Sequence, residues 1–170
     1  MTVPESLIKL FEPWNDLYSH SKLTATVVIF LHVGGLLLGG GLAIAADRST
    51  LRALRNAADE RTHQLRELAA VHRLVIVGLV TVIASGFALF TADIEAFFGS
   101  WIFWVKMVLV LLLLINGLMM TRTEASIDRD ASSGKSDTSS HWQTLHRTAV
   151  TSLTLWFVTA ALGVALTNFA

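Results

Sequence analysis

Four long apolar stretches, separated by charged segments, set the strongest limit on how this chain can fold. They run from Leu23 to Ala46, from Leu74 to Ala92, from Trp101 to Met120 and from Thr148 to Ala170. Each has about 20 residues, the length at which an α-helix crosses the ~30 Å of hydrocarbon in a bilayer. The chain is 53% hydrophobic and only 15% charged, more apolar than a soluble domain of this length. The sequence therefore predicts an all-α integral membrane protein, a four-helix bundle whose first partner is the lipid bilayer.

The basic residues lie in two of the three connections between these stretches. Segment 47–73 contains six arginines and segment 121–147 contains three arginines and one lysine, whereas segment 93–100 contains two acids and no basic residue. Short connections rich in Lys and Arg stay on the cytoplasmic side of a membrane. We therefore expect both long connections in the cytoplasm and both termini outside it.

The polar segments predict how the rest of the chain is organised. Residues 1–20 alternate apolar and charged side chains and predict an amphipathic segment on the outer membrane surface, with a tethered tail as the alternative. Residues 131–141 are rich in Ser and predict a flexible cytoplasmic loop. The expected helices are about 22–46, 70–93, 100–121 and 145–169, in one membrane domain.

An internal repeat appears when the chain is compared with itself at an offset of 74 residues (106 − 32 = 74). The polar positions that coincide are His32 with Lys106, His72 with His146, and Arg73 with Arg147. Each half is then one helical hairpin with the same direction. The repeat predicts two hairpins related by a pseudo-twofold axis along the membrane normal, with the first and third helices diagonal to each other.

His72 and His146 begin the second and fourth apolar helices, and an arginine follows each of them. Two imidazoles on facing helices above an apolar slot are the ligands that a bis-histidine haem b requires, and Arg73 and Arg147 are placed to meet its propionates. Two alternatives stay open: the histidines only anchor their helices at the interface, or they serve a metal or a proton-linked role.

His32 and Lys106 form a second pair at equal depth inside the outer half of the membrane. An ionisable group there costs about 2.5 to 3.5 kcal/mol unless it is paired or hydrated, so Lys106 is expected to face the bundle interior. Gly35 and Gly39 share a face with His32, which favours close helix packing over a slot for a flat ligand. In the functional interpretation His32 is an axial ligand of a second haem or a proton donor, and Lys106 holds an anion such as a propionate.

Several function classes find no support in the sequence. The absence of cysteine excludes disulfides and covalent c-type haem. No phosphate-binding glycine loop, nucleophile elbow or metalloprotease motif is present, and no basic patch interleaved with aromatics suggests a nucleic-acid partner. His20, His63 and His141 lie in polar segments and are expected to be exposed, although His141 could approach the inner site.

Two short motifs resemble known families. Leu31-His32-Val33-Gly34-Gly35 with the glycines 39–41, and Trp104-Val105-Lys106 with the Leu-rich run ending at Arg122, resemble bacterial four-helix membrane units. These units are the membrane domain of copper-resistance D proteins and the HemJ-type protoporphyrinogen oxidase. The paired His-Arg starts are more loosely similar to bis-histidine membrane cytochromes b. The resemblance implies a bacterial inner-membrane protein. The copper-resistance D proteins imply copper movement, the HemJ-type oxidase implies haem-dependent porphyrinogen oxidation, and the cytochromes b imply electron transfer.

Taken together, these patterns predict a protein that binds haem b and transfers single electrons, an oxidoreductase or its electron-transfer component. One haem lies between His72 and His146, and a quinone, a substrate or a second haem uses His32 and Lys106. A redox partner protein and a homo-oligomer fit this interpretation. The alternatives are a transporter of copper or a small solute gated by His32 and Lys106, a HemJ-like porphyrinogen oxidase, and a structural subunit.

Overall fold

The computed structural model describes residues 3–53, 58–132 and 139–169; it does not describe the side chains of 53, 58–72, 128, 131–132, 139–140, 142, 167 and 169. All regular structure within those ranges is helical, and no strand occurs there. The elements are α1 (Glu5–His20), α2 (Lys22–Gly35), a π-helical turn (Leu36–Gly40), α3 (Gly41–Ala53), α4 (Ala58–Ala92), α5 (Ile94–Gly99), α6 (Trp101–Ser132) and α7 (Ser139–Phe169).

Four of these helical segments are long and apolar enough to cross a membrane. They are the first span Lys22–Arg52, the second Arg73–Ala92, the third Trp101–Ile127 and the fourth Gln143–Leu166. Large apolar side chains such as Phe30 (72% exposed) and Phe157 (65% exposed) cover their outer surfaces. In water such a surface would be costly, but lipid solvates it. The prediction of an all-α protein with four membrane-crossing helices is confirmed.

The helices continue beyond the expected boundaries. The first span runs on through α3 to Ala53, α4 begins at Ala58, α6 ends at Ser132 and α7 begins at Ser139. Hydropathy marks where the hydrocarbon ends, whereas Ala, Leu, Glu and Arg beyond that point still favour the helix. Of the loop expected at 131–141, residues 133–138 lie outside the described residues and the others are helical.

The two ends of the bundle differ in composition. At one end α5 joins the second and third spans, and α1 packs against α4 and α2. The Trp14 indole donates to the Ala88 carbonyl at 2.8 Å, the Asn15 amide donates to the Ala92 carbonyl, and Phe11 contacts the Phe87 ring edge-on. We call this the α5 end. The opposite end, which carries the arginines of α3, α4, α6 and α7, is the arginine-rich end.

Glycines bring the first and second spans into backbone contact. A Cβ on Gly39 would lie 3.0 Å from the Gly78 carbonyl carbon, and a Cβ on Gly78 would overlap the Gly39 backbone nitrogen. A Cβ on Gly35 would lie 3.1 Å from the Gly78 carbonyl oxygen. Small residues spaced by four allow this approach. The predicted packing role of Gly35 and Gly39 is confirmed.

The second hairpin is formed by α6 and α7, and it joins the first hairpin mainly through α3 and α7. Within it, the buried Asn116 amide donates to the Thr148 carbonyl at 2.9 Å. Between the hairpins, the Trp156 ring lies over Gly40, where a Cβ would be 2.9 Å from it. The fourth span is therefore the neighbour of both the first and the third.

Candidate functional site

His32 lies half-buried on the bundle side of α2 and contacts the second span. Its Nδ1 is 3.1 Å from the Ser85 hydroxyl oxygen. Its Cε1 and Nδ1 lie 3.1 and 3.5 Å from where a Cβ on Gly86 would be. The imidazole therefore rests on the bare backbone of the second span at Gly86.

The hydrogen bonds of Ser85 determine which nitrogen of His32 carries the proton. The Ser85 hydroxyl donates to the Thr81 carbonyl at 2.5 Å, with the Val82 carbonyl at 3.2 Å. A hydroxyl has a single hydrogen; when Ser85 donates it to the Thr81 carbonyl, the Ser85 oxygen accepts a hydrogen bond from His32 Nδ1–H. In that arrangement neutral His32 has an unprotonated Nε2, the nitrogen that can accept a proton or bind a metal.

Lys106 reaches the same region from the third span. Its Nζ lies 3.3 Å from where a Cβ on Gly163 would be, so it also rests against a glycine backbone. It is near enough to interact electrostatically with His32. Among the described residues no carboxylate or hydrogen-bond acceptor contacts this ammonium group. A cation at this depth without a counter-ion is costly, so an anionic ligand would stabilise it.

An aromatic cap separates this site from the α5 end. Phe90 and Phe103 stack with their ring centroids 5.0 Å apart. The cap consists of buried Ile102, Phe103 and Leu166, with Phe90, Phe97 and Leu162 packed against them. Lys106 follows Trp101 by five residues, about 8 Å of helix at ~1.5 Å per residue. The His32 and Lys106 pair is thus a polar centre in the third of the bundle nearest the α5 end, next to the aromatic cap.

Of the predicted His72 and His146 pair, the structure describes only the His146 side chain. The side chain of His72 lies outside the described residues, so its pairing with His146 stays a prediction. His146 is exposed, as are Arg73 and Arg147. Its neighbours Leu145 and Ala149, at 0% exposure, occupy the buried side of α7 instead. The His146 ring was expected inside the bundle, but it lies on the exposed side of α7.

A second polar centre, which the sequence did not predict, lies near the arginine-rich end. Asp47 is only 2% exposed, interacts with the Ser152 hydroxyl and lies within electrostatic range of Glu124. Among the described residues its Oδ2 has no hydrogen-bond partner. Thr50, one turn further along α3, is 0% exposed, and no described residue bonds to its hydroxyl. We call Asp47, Thr50, Glu124 and Ser152 the acidic cluster.

The acidic cluster escaped prediction because two helix ends were placed too early. The first helix was expected to end at residue 46 and the third at residue 121, which assigned Asp47 and Glu124 to the cytoplasmic connections. Because the helices continue, both carboxyl groups face the bundle. Asp47 and Thr50 lie three residues apart at the edge of an apolar stretch. This spacing places two polar side chains on one face of a helix, and it was the sequence signal for a polar site there.

The remaining histidines are peripheral. His20 is exposed, as expected, and its Nδ1 is 3.0 Å from the Asp16 carbonyl. His141 faces Asp130, with Nδ1 and Oδ2 3.5 Å apart, at the arginine-rich end. The side chain of His63 lies outside the described residues. No group of three or more His, Asp or Glu side chains that could hold a metal occurs among the described side chains.

The chain is a multi-pass helical membrane protein with two polar centres inside its bundle. No protein-family model, curated protein or solved structure matches it. The resemblances to copper-resistance D proteins, HemJ-type oxidases and cytochromes b therefore stay predictions.

Proposed function

We propose that this protein binds haem b and passes single electrons, with His32 as an axial ligand of the iron. The observation that carries the proposal is the hydrogen bond between His32 Nδ1 and Ser85. Histidines that ligate metals almost always donate their other ring N–H to a neighbouring group, which orients the ring and raises its basicity. His32 has this arrangement, with the Nε2 lone pair left for the iron.

The neighbours of His32 are also of the kind that a haem requires. Gly86 and Gly163 let the His32 imidazole and the Lys106 ammonium group lie close to the backbone of the second and fourth spans. Lys106 supplies a positive charge that a propionate can neutralise. The aromatic cap places apolar side chains between the site and the α5 end. When bound, haem b supplies one-electron exchange between ferric and ferrous iron.

The orientation and the repeat belong to the same proposal. The arginine-rich end lies in the cytoplasm and both termini lie outside it, in a bacterial inner membrane, as the positive-inside rule indicates. His32 and Lys106 coincide at the 74-residue offset and interact across the bundle, which supports a pseudo-twofold axis between the hairpins. The site is then on the outer side, where a quinone or a redox partner protein can exchange electrons with it.

The visible absorption spectrum of detergent-purified protein tests this proposal. We expect a Soret band, with sharp α and β bands after reduction by dithionite. His32→Ala should lose these bands, whereas His146→Ala, which changes an exposed histidine, should keep them. If His146→Ala loses the bands and His32→Ala retains them, the haem belongs to the predicted His72 and His146 pair. A colourless preparation that takes up no added haem would refute the proposal.

The second polar centre favours one other function. Asp47 and Glu124 near one end, and His32 and Lys106 near the other, form two polar levels inside an apolar bundle. Intramembrane ionisable groups often mark a solute pathway. A transporter of copper or a small solute would be colourless. It would move its substrate into proteoliposomes, and His32→Ala or Lys106→Met would abolish that transport.

A further inference from the structure

We infer that the acidic cluster is a binding site for a small hard metal cation, separate from the His32 site. Asp47 and Glu124 come from the first and third spans and interact electrostatically. Ser152 comes from the fourth span and interacts with Asp47. Three of the four membrane spans thus contribute an oxygen-bearing side chain to one polar region, where α3 packs against α7.

The buried oxygens of the cluster lack the partners that buried polar groups normally have. Asp47 Oδ2 and Thr50 Oγ1 are buried and have no hydrogen-bond partner in the part of the chain that the structure describes; their residues are 2% and 0% exposed. Most buried polar side-chain atoms are hydrogen-bonded, and an unmet one destabilises the fold. Asp47 and Thr50 lie one helical turn apart on α3, so both unpartnered oxygens lie on one side of that helix.

The nearby arginines do not neutralise the cluster. Arg48 and Arg122 are both exposed. Among the described side chains no cation forms an ion pair with Asp47 or Glu124. Two carboxylates in an apolar bundle repel each other unless a positive charge lies between them.

The ligand atoms define the class of cation. Two carboxylates and two hydroxyls are all hard oxygen donors, and there is no sulfur or imidazole among them. Such a set suits Na⁺, Mg²⁺ or Ca²⁺ and does not suit copper or zinc. Glu124 is half-buried and lies three residues before the end of the third span, whereas Asp47 is deeper. A cation would therefore enter past Glu124 and reach Asp47.

Thermal unfolding of the full chain in detergent tests this inference. The protein is first prepared in metal-free, mildly alkaline choline chloride, and NaCl, MgCl₂ and CaCl₂ are then added separately at matched ionic strength. We expect one of these cations to raise the unfolding temperature saturably. Asp47→Asn, which keeps the shape and removes the charge, should abolish the rise. Glu124→Gln should weaken the apparent affinity by about tenfold or more.

The test includes a control variant, and equilibrium dialysis and infrared spectra supplement thermal unfolding. Glu95→Gln, a neutralised exposed acid at the α5 end, should respond to the cation like the wild type. If Asp47→Asn does not fold, equilibrium dialysis of the wild type and Ser152→Ala against the stabilising cation replaces it, and weaker binding by the variant is expected. The inference is wrong if no cation stabilises the wild type beyond choline chloride. It is equally wrong if infrared spectra show a protonated carboxyl band that Asp47→Asn removes, since a shared proton then neutralises the cluster.

Discussion

Lys106 lies in a folded environment that conflicts with the chemistry of its charged side chain. Its ammonium group is partly buried against Gly163, interacts unfavourably with His32 when that ring is charged, and contacts no carboxylate among the described residues. A residue that serves only stability would not carry a charge there. Functional sites commonly retain such groups at the expense of stability.

Replacing Lys106 by Met should therefore stabilise the ligand-free protein. Removing the buried charge while keeping an unbranched side chain should raise the free energy of unfolding by about 1 to 3 kcal/mol. The same variant should bind haem more weakly. Lys9→Met, at an exposed position of α1, is the matched control and should change stability by less than about 0.5 kcal/mol. Thermal unfolding in detergent, with and without added haem, separates the two effects. A destabilised Lys106→Met protein would mean that the ammonium group has a stabilising partner in the fold.

At the scale of elements, the first span shows how a local irregularity positions both polar centres. The π-helical turn Leu36–Gly40 lies between His32 and Asp47. A π turn holds an extra residue, so it rotates the helix beyond it by about 100° relative to an uninterrupted α-helix. The same segment contains Gly39 and Gly40, which contact Gly78 and Trp156. The turn therefore fixes which residues of α3 face the fourth span, Asp47 among them.

Close packing of the first hairpin should depend on Gly78. In Gly78→Ala the new methyl group would overlap the Gly39 backbone, and neither backbone can yield as a flexible side chain would. We expect a loss of about 1 to 3 kcal/mol in unfolding free energy. Gly41→Ala, where no atom lies within 4 Å, should be neutral or stabilising. Equal effects of the two substitutions on thermal unfolding would contradict the backbone contact.

At the scale of the whole molecule, the proposed orientation can be tested directly because the chain has no cysteine. Ala96→Cys places a thiol on exposed α5, and Ser136→Cys places one in the connection between α6 and α7. We expect a membrane-impermeant maleimide to label Ala96→Cys when applied from outside the cytoplasmic membrane, and to label Ser136→Cys only after that membrane is permeabilised. The reverse pattern would invert the proposed topology and move His32 to the cytoplasmic side.

The sequence by itself determined the number of membrane spans and where each one lies. Both depend on length, hydropathy and charge along the chain, which are local properties. It also indicated that Gly35 and Gly39 pack closely, since small residues spaced by four in a span allow two helices to approach each other. His32 and Lys106 were recognisable because an ionisable group is rare at that depth.

The rotation of each helix was decided only by the tertiary structure. Whether His146 or Leu145 faces the interior depends on how α6 and α3 pack against α7, and adjacent positions differ by about 100° around the axis. The acidic cluster likewise arises from three spans that approach one another, and its residues are far apart in sequence. Hydropathy in a membrane helix is nearly uniform around the axis. The side that faces the bundle is therefore chosen by glycine contacts, the π turn and the aromatic cap, all of which exist only once the helices have assembled.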